Sequence, residues 1–469
     1  MKRNKWLIGC FAIFLLLLLA ACGGGSGNTE ETEAESPNNS ENAENENENE
    51  NEASEEEESA EPTTLHVAGL ESAYGAEMWE KIAEAYEAAN ENVTVELEFA
   101  KNIEEVLRPK MQAGDYPDVV MLATDREEAL TETLIKENAV ENISDLLVQS
   151  VYGEDISVGE KLLDGFTDTL ATNPYADSDT YLAPMFYSPT GLFYNAALFE
   201  EKGWDVPETW DEMFELGEIA AEEDISLFTY PVAGYFDTLL GSMMYAAGGP
   251  NFYNGAMTYE EGIWETEEAT LVLETVEKLV GYAHPNTVAN ANPNDFTKNQ
   301  QLLLDNKALF MPNGTWVVGE MEEAPRVDNF EWGMIAVPAF EEGGDRYAFT
   351  FFEQIWIPKE AENIEAAKDF VTFVYSDVAA DIFLEAGAVQ PIEGITDKLE
   401  GHDQVFYQIY DEGALPAMGS FASTDPVPGV NIGETLYFQI DSIASGDLSV
   451  EEWQKSIQEA SDQLRPAMN

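Results

Sequence analysis

Between Thr64 and Leu122 the spacing of apolar residues switches repeatedly between two periods, and that succession limits the folds open to the chain. Thr64-Leu65-His66-Val67-Ala68 reads as a short strand. Over 76–90, Met78, Ile82, Tyr86 and Ala89 recur at the spacing of one helix face. Val93, Val95, Leu97 and Phe99 then alternate with polar residues as a strand; a helix follows to Gln112, and 118–122 is a short buried strand. Strand, helix, strand, helix, strand is the order of a parallel sheet covered by helices, so the fold class is α/β. Further short strands are expected at 191–194, 308–311, 333–337 and 354–357, with mostly helix after Pro358.

The stretch 62–469 holds 408 residues, more than the roughly 250 to 300 at which single cores stop growing, so two lobes are expected. Upstream, the composition is of a different kind. Lys2, Arg3 and Lys5 precede an apolar run from Trp6 to Leu19 and the small residues Ala20 and Ala21, the layout of a secretory signal over 1–21. Leu19-Ala20-Ala21-Cys22 resembles the lipobox of bacterial lipoproteins, which implies that Cys22 becomes a lipidated N-terminus on the outer face of the cell membrane. The only other cysteine, Cys10, lies inside the signal, so Cys22 has no disulfide partner. From 22 to 62 an Asn/Glu repeat such as Glu44-Asn45-Glu46-Asn47 offers almost nothing to bury and reads as a disordered tether, roughly 35 Å end to end.

The folded part carries 77 Asp and Glu against 18 Lys and Arg. Such a surface repels nucleic acid and anionic solutes and is tolerable where salt screens it, which suggests a saline or alkaline habitat. The three histidines, His66, His284 and His402, stand apart, so no His-rich metal spacing exists, and the absence of any Gly-Lys pair excludes a Walker A loop. No cofactor, metal or catalytic residue is expected. A carboxylate pair for glycoside cleavage stays open, because with 92 acidic residues close pairs arise by chance.

Four segments in order carry a resemblance. They are Met111-Gln112-Ala113-Gly114-Asp115-Tyr116-Pro117-Asp118-Val119-Val120; Tyr181-Leu182-Ala183-Pro184 leading to Leu192-Phe193-Tyr194-Asn195 and Thr209-Trp210-Asp211-Glu212-Met213; Leu309-Phe310-Met311-Pro312-Asn313-Gly314-Thr315-Trp316; and 351–358 with the helix through Ala366-Ala367-Lys368-Asp369-Phe370. Together they resemble the family 1 extracellular solute-binding proteins, the group that includes maltose-binding protein. The resemblance implies a two-lobed, periplasmic-binding-protein-like fold, a monomer that captures a carbohydrate in the cleft between lobes and delivers it to the permease subunits of an ABC importer. Crossovers between lobes are expected near 184–188, 311–314 and 350–354, which divides the chain into an N-lobe of 63–185 and 311–353 and a C-lobe of 186–310 and 354–469. The Pro-containing segments at the first two crossovers suit a hinge better than the interior of a sheet.

A sugar presents C–H faces and many hydroxyls, so its site needs aromatic rings and planar polar groups. Asp125 and Arg126 follow the strand ending at Leu122 and match an Asp-Arg pair in maltose-binding protein; the alternative is a helix cap with an exposed ion pair. Trp316, just past Asn313-Gly314, occupies a sugar-stacking position in the family. Tyr74, Tyr187, Tyr235 and Phe236 are candidates for cleft or core, and Glu353 beside two phenylalanines for a bidentate sugar contact or an exposed hinge group. Ser188 stands where maltose-binding protein has a glutamate, which argues against maltose. Phe228-Thr229-Tyr230-Pro231 and the run 310–321 resemble binders of N-acetylglucosamine and its short oligomers. Two other readings stay open: a binding protein for a non-sugar solute, such as a polyamine or metal complex, and a cell-surface glycosidase or lyase.

Overall fold

The computed structural model describes residues 62–468 apart from 73, 125, 127, 168, 176 and 178. The signal, Cys22, the tether up to residue 61, and Asp125 lie outside the described residues. Nine strands occur among the described residues: β1 (Thr63–Leu70), β2 (Val93–Ala100), β3 (Val119–Met121), β4 (Leu182–Asn195), β5 (Ser226–Phe228), β6 (Ala308–Gly314), β7 (Trp332–Ile335), β8 (Tyr347–Trp356) and β9 (Leu415–Ala417). Their order is β2-β1-β3-β8-β4-β6-β5, with β7 also on β4 and β9 also on β8. As the period-switching predicts, β1, β2 and β3 pair in parallel, and the helix Glu77–Ala89 between the first two buries Met78, Trp79, Ile82 and Tyr86.

Two long strands join the lobes. The first half of β4 pairs antiparallel with β8 from Leu182↔Trp356 to Pro189↔Thr350, and its second half pairs with β6 and β7. The prolines do not interrupt this: Pro184 faces Gln354 beside a register shift, and Pro312 sits in β6 opposite Leu192. Proline removes one ladder donor, and a bulge or a position where that donor is not needed accommodates the loss. The expected short strands at 191–194 and 354–357 are therefore ends of strands of 14 and 10 residues.

This connectivity corrects the division into lobes. Residues 311–335 stay with the second-lobe sheet, because β6 and β7 pair with the second half of β4. The chain returns to the first lobe along β8. The helices Ile364–Val374 and Asp377–Glu385 then pack on the helix Glu77–Ala89, with Phe370 and Phe373 against Tyr86 and Phe383 against Trp79. Only after the helix Gly401–Asp411 does it rejoin the second-lobe core, which holds Ala417, Leu436, Trp453 and Leu464. The sequence reading had 354–411 in the C-lobe because an apolar helix face does not specify which sheet it covers.

The motifs that carry the resemblance are largely framework. Buried Asp118 accepts the backbone N–H groups of His66 at 2.9 Å and Asn363 at 2.9 Å, tying β1 to the return helix. Asn195 donates to the Asn306 side chain at 2.8 Å and accepts the Glu331 N–H at 3.1 Å. Thr209 and Glu212 form a reciprocal capping box at the start of the helix Trp210–Ala221.

Candidate functional site

On β8 the residues Phe349, Phe351 and Glu353 fall on one face, since side chains alternate along a strand, and this is the less buried face of the strand. Phe351 and its neighbours floor a cavity of about 510 Å³. On the first-lobe side its wall is Ala123, Thr124 and Ala171; on the second-lobe side it is Asp237, Tyr253, the loop 418–421 and Tyr437. The cavity thus lies where the two lobes meet, and its size falls in the ordinary range of small-molecule sites.

Gln354 holds the first-lobe wall in place. Its side-chain oxygen accepts the Thr124 N–H at 3.1 Å, while its amide nitrogen donates to Thr124 Oγ1 at 3.1 Å and to the Ala171 carbonyl at 3.2 Å. Arg126, the next described residue after Thr124, donates from Nε and one Nη to both carboxylate oxygens of Glu104, at 3.1 and 3.0 Å. Glu104 is buried, so its pair with Arg126 is not an exposed one. A buried carboxylate with a planar bidentate partner fixes the guanidinium in place.

Around Phe351 the rings form a row. Trp316 and Tyr235 have ring centroids 6.5 Å apart, Trp316 and Phe351 6.0 Å, and Phe351 and Phe349 5.7 Å. Trp316 Nε1 donates to the Tyr235 hydroxyl in a long bond of 3.5 Å. Trp316 and Phe351 remain 38% and 45% exposed, and Phe438, beside Gly234, 57%. No other Phe, Tyr or Trp is among the large apolar side chains exposed in the described residues, so the open rings gather in one region. Burying one such ring contributes roughly 2 kcal/mol or more, so leaving three in water is a cost that a ligand surface would offset.

The other candidates divide between rim and core. Tyr74 is half-buried, edge-on to Phe186 at 5.6 Å, and its hydroxyl is pushed up by burial and secondarily by the charge of Glu353. Burial pushes Glu353 up to about 7, against the pull of Arg126. Its Oε2 has no hydrogen-bond partner among the described residues. Tyr74, Arg126 and Glu353 thus form one electrostatic group. Asn313 is buried, with Oδ1 accepting the Gly314 N–H at 2.9 Å and Nδ2 unpartnered among the described residues. Tyr187 and Phe236 are in the core: Tyr187 packs on Phe166, Tyr407 and Tyr410, and Phe236 on Phe228 and Tyr230. The structure does not bring these two to the cleft.

Several cleft residues were not singled out from the sequence. Phe351 sits in a quoted motif, whereas Asp237, Phe421 and Tyr437 come from three segments with no signal of their own. Among the described residues no helix is long and apolar enough to cross a membrane, and no group of three or more His, Cys, Asp or Glu is placed to hold a metal ion.

The bacterial extracellular solute-binding protein family model matches residues 68–381, and the chain belongs to this family. It is 24% identical over 422 residues to the diacetylchitobiose binding protein NgcE of Streptomyces coelicolor, covering 87% of this chain and 86% of that protein. It is 22% identical over 325 residues to a multiple sugar-binding protein of Streptococcus mutans, covering 68% of this chain and 72% of that one. The apo-form of RafE from Streptococcus pneumoniae superposes with a TM-score of 0.62 at 21% identity, over 87% of this chain and 98% of that one, and this likeness supports the two-lobed fold.

Proposed function

We propose that the protein binds a carbohydrate between its lobes, without catalysis, and delivers it to the permease of an ABC importer. The observation that carries this is the open row of Tyr235, Trp316 and Phe351 beside a polar rim of Arg126 and Glu353. Aromatic faces suit sugar C–H surfaces, and carboxylate and guanidinium groups suit vicinal hydroxyls. Tyr74, Asp125, Arg126, Tyr235, Trp316, Phe351 and Glu353 are the contacts in this reading. The relative named for diacetylchitobiose favours an amino sugar or a short oligomer of it as cargo.

Closure is the mechanism. β4 and β8 link the lobes, and a sugar that touches both walls favours the closed arrangement only by its extra affinity for it. The chain acts as a monomer held outside the cell by lipid on Cys22. Calorimetry against a saccharide panel tests the reading: binding without product formation is expected, and either turnover or failure of every sugar to bind would overturn it.

A further inference from the structure

The cavity between the lobes has one charged side chain among its described lining residues, Asp237, and no lysine or arginine. Asp237 opens the long helix Phe236–Met257 and accepts the Thr238 N–H, and it is exposed to the cleft. Around the same space stand Tyr253, Phe351, Phe421 and Tyr437. A carboxylate set among aromatic faces with no competing cation is the arrangement that receives an organic ammonium group, by charge pairing and by attraction to the ring quadrupoles. It equally disfavours a carboxylated sugar, which the net negative field of the folded part already repels.

Resting on the sugar reading above, we propose that Asp237 pairs with a protonated amine of the cargo, so that the preferred saccharide contains a hexosamine unit with a free amino group. The surrounding protein pushes the Asp237 carboxyl up to about 6 against the Thr238 N–H, so at pH 7 it is largely ionised and available to a cation. The titratable groups beside it, Tyr235 and Tyr437, are themselves pushed up by burial first, then by the Asp237 charge among smaller causes, and stay neutral there. Arg126 is engaged with Glu104 and is not among the cavity's lining residues.

The test is calorimetry on the protein at pH 7 and low salt with three probes: chitobiose with both amines free, its di-N-acetyl form, and a disaccharide bearing a uronic acid. The expected result is that the free-amine form binds tenfold or more tighter than the acetylated one, that the acid form binds weakest, and that Asp237→Asn brings the amine-to-acetyl ratio close to one with no fall in melting temperature. Preference for the acetylated or acid form in the wild type, or a ratio untouched by Asp237→Asn, overturns the role of Asp237 and leaves the sugar reading standing. If none of the three binds while another sugar of the panel does, the role of Asp237 alone falls; if no sugar binds, both fall.

Discussion

The indole of Trp316 lies directly against Gly314: a β-carbon on residue 314 would stand 2.0 Å from the ring. Only glycine leaves that space, so the Asn313-Gly314-Thr315-Trp316 run seats a large ring against the end of β6 while leaving it partly exposed. Any side chain at 314 must displace the ring.

Replacing Trp316 with Ala removes a stacking partner and its buried area, on the order of 2 to 4 kcal/mol of binding, or about 30-fold to 1000-fold in dissociation constant. Gly314→Ala keeps the indole but shifts it, and is expected to weaken the same sugar measurably. Titration calorimetry of both variants reads the difference; undiminished affinity in both would place the site away from this ring.

Glu353 makes stability depend on pH. Its folded value of about 7 lies above the ordinary 4.5, so the native state holds a proton that the unfolded state releases. Stability from this group is fully present below about pH 4.5 and falls as pH rises through 7. Glu353→Gln should therefore be more stable than the wild type at pH 8, by roughly 1 to 3 kcal/mol, and melt higher, with the gap closing toward pH 4.5. Equal melting curves at pH 8 would show that the carboxylate is solvated.

Salt acts on the whole surface. With 77 acidic and 18 basic residues in the folded part, screening that shortens from about 30 Å at 0.01 M salt to about 3 Å at 1 M should raise the melting temperature steadily. A flat profile across that range would mean that the acidity does not bear on folding.

Cys22 is the expected anchor. Cys22→Ser should leave the protein as unprocessed precursor or released from the membrane, seen by fractionation and by mass of the N-terminus. Acylation and retention equal to wild type would remove that cysteine from the account.

The strand and helix order of the first lobe was legible because each segment is short and its period is clean: Met78, Ile82 and Tyr86 face the core as their spacing requires. Strand lengths around the prolines were not, since Pro184 and Pro312 read as breakers while the sheet accepts them. Trp316 and Glu353 were proposed from their positions in the quoted segments, and Tyr235 from a glycine-containing turn. Tyr187, open between cleft and core in the sequence, is core because Tyr407 and Tyr410 pack on it from a helix more than 200 residues further along the chain. Asp237 is far along the chain from Phe421 and Tyr437 and meets them only when the second lobe is built, so no local pattern marks them.

Small-angle scattering with and without sugar tests the central claim most directly. If cargo is held between lobes linked by β4 and β8, a saccharide that binds by calorimetry should reduce the radius of gyration, and Trp316→Ala should require more sugar to reach the same contraction. Saturating binding with no change in the radius of gyration would contradict capture by closure.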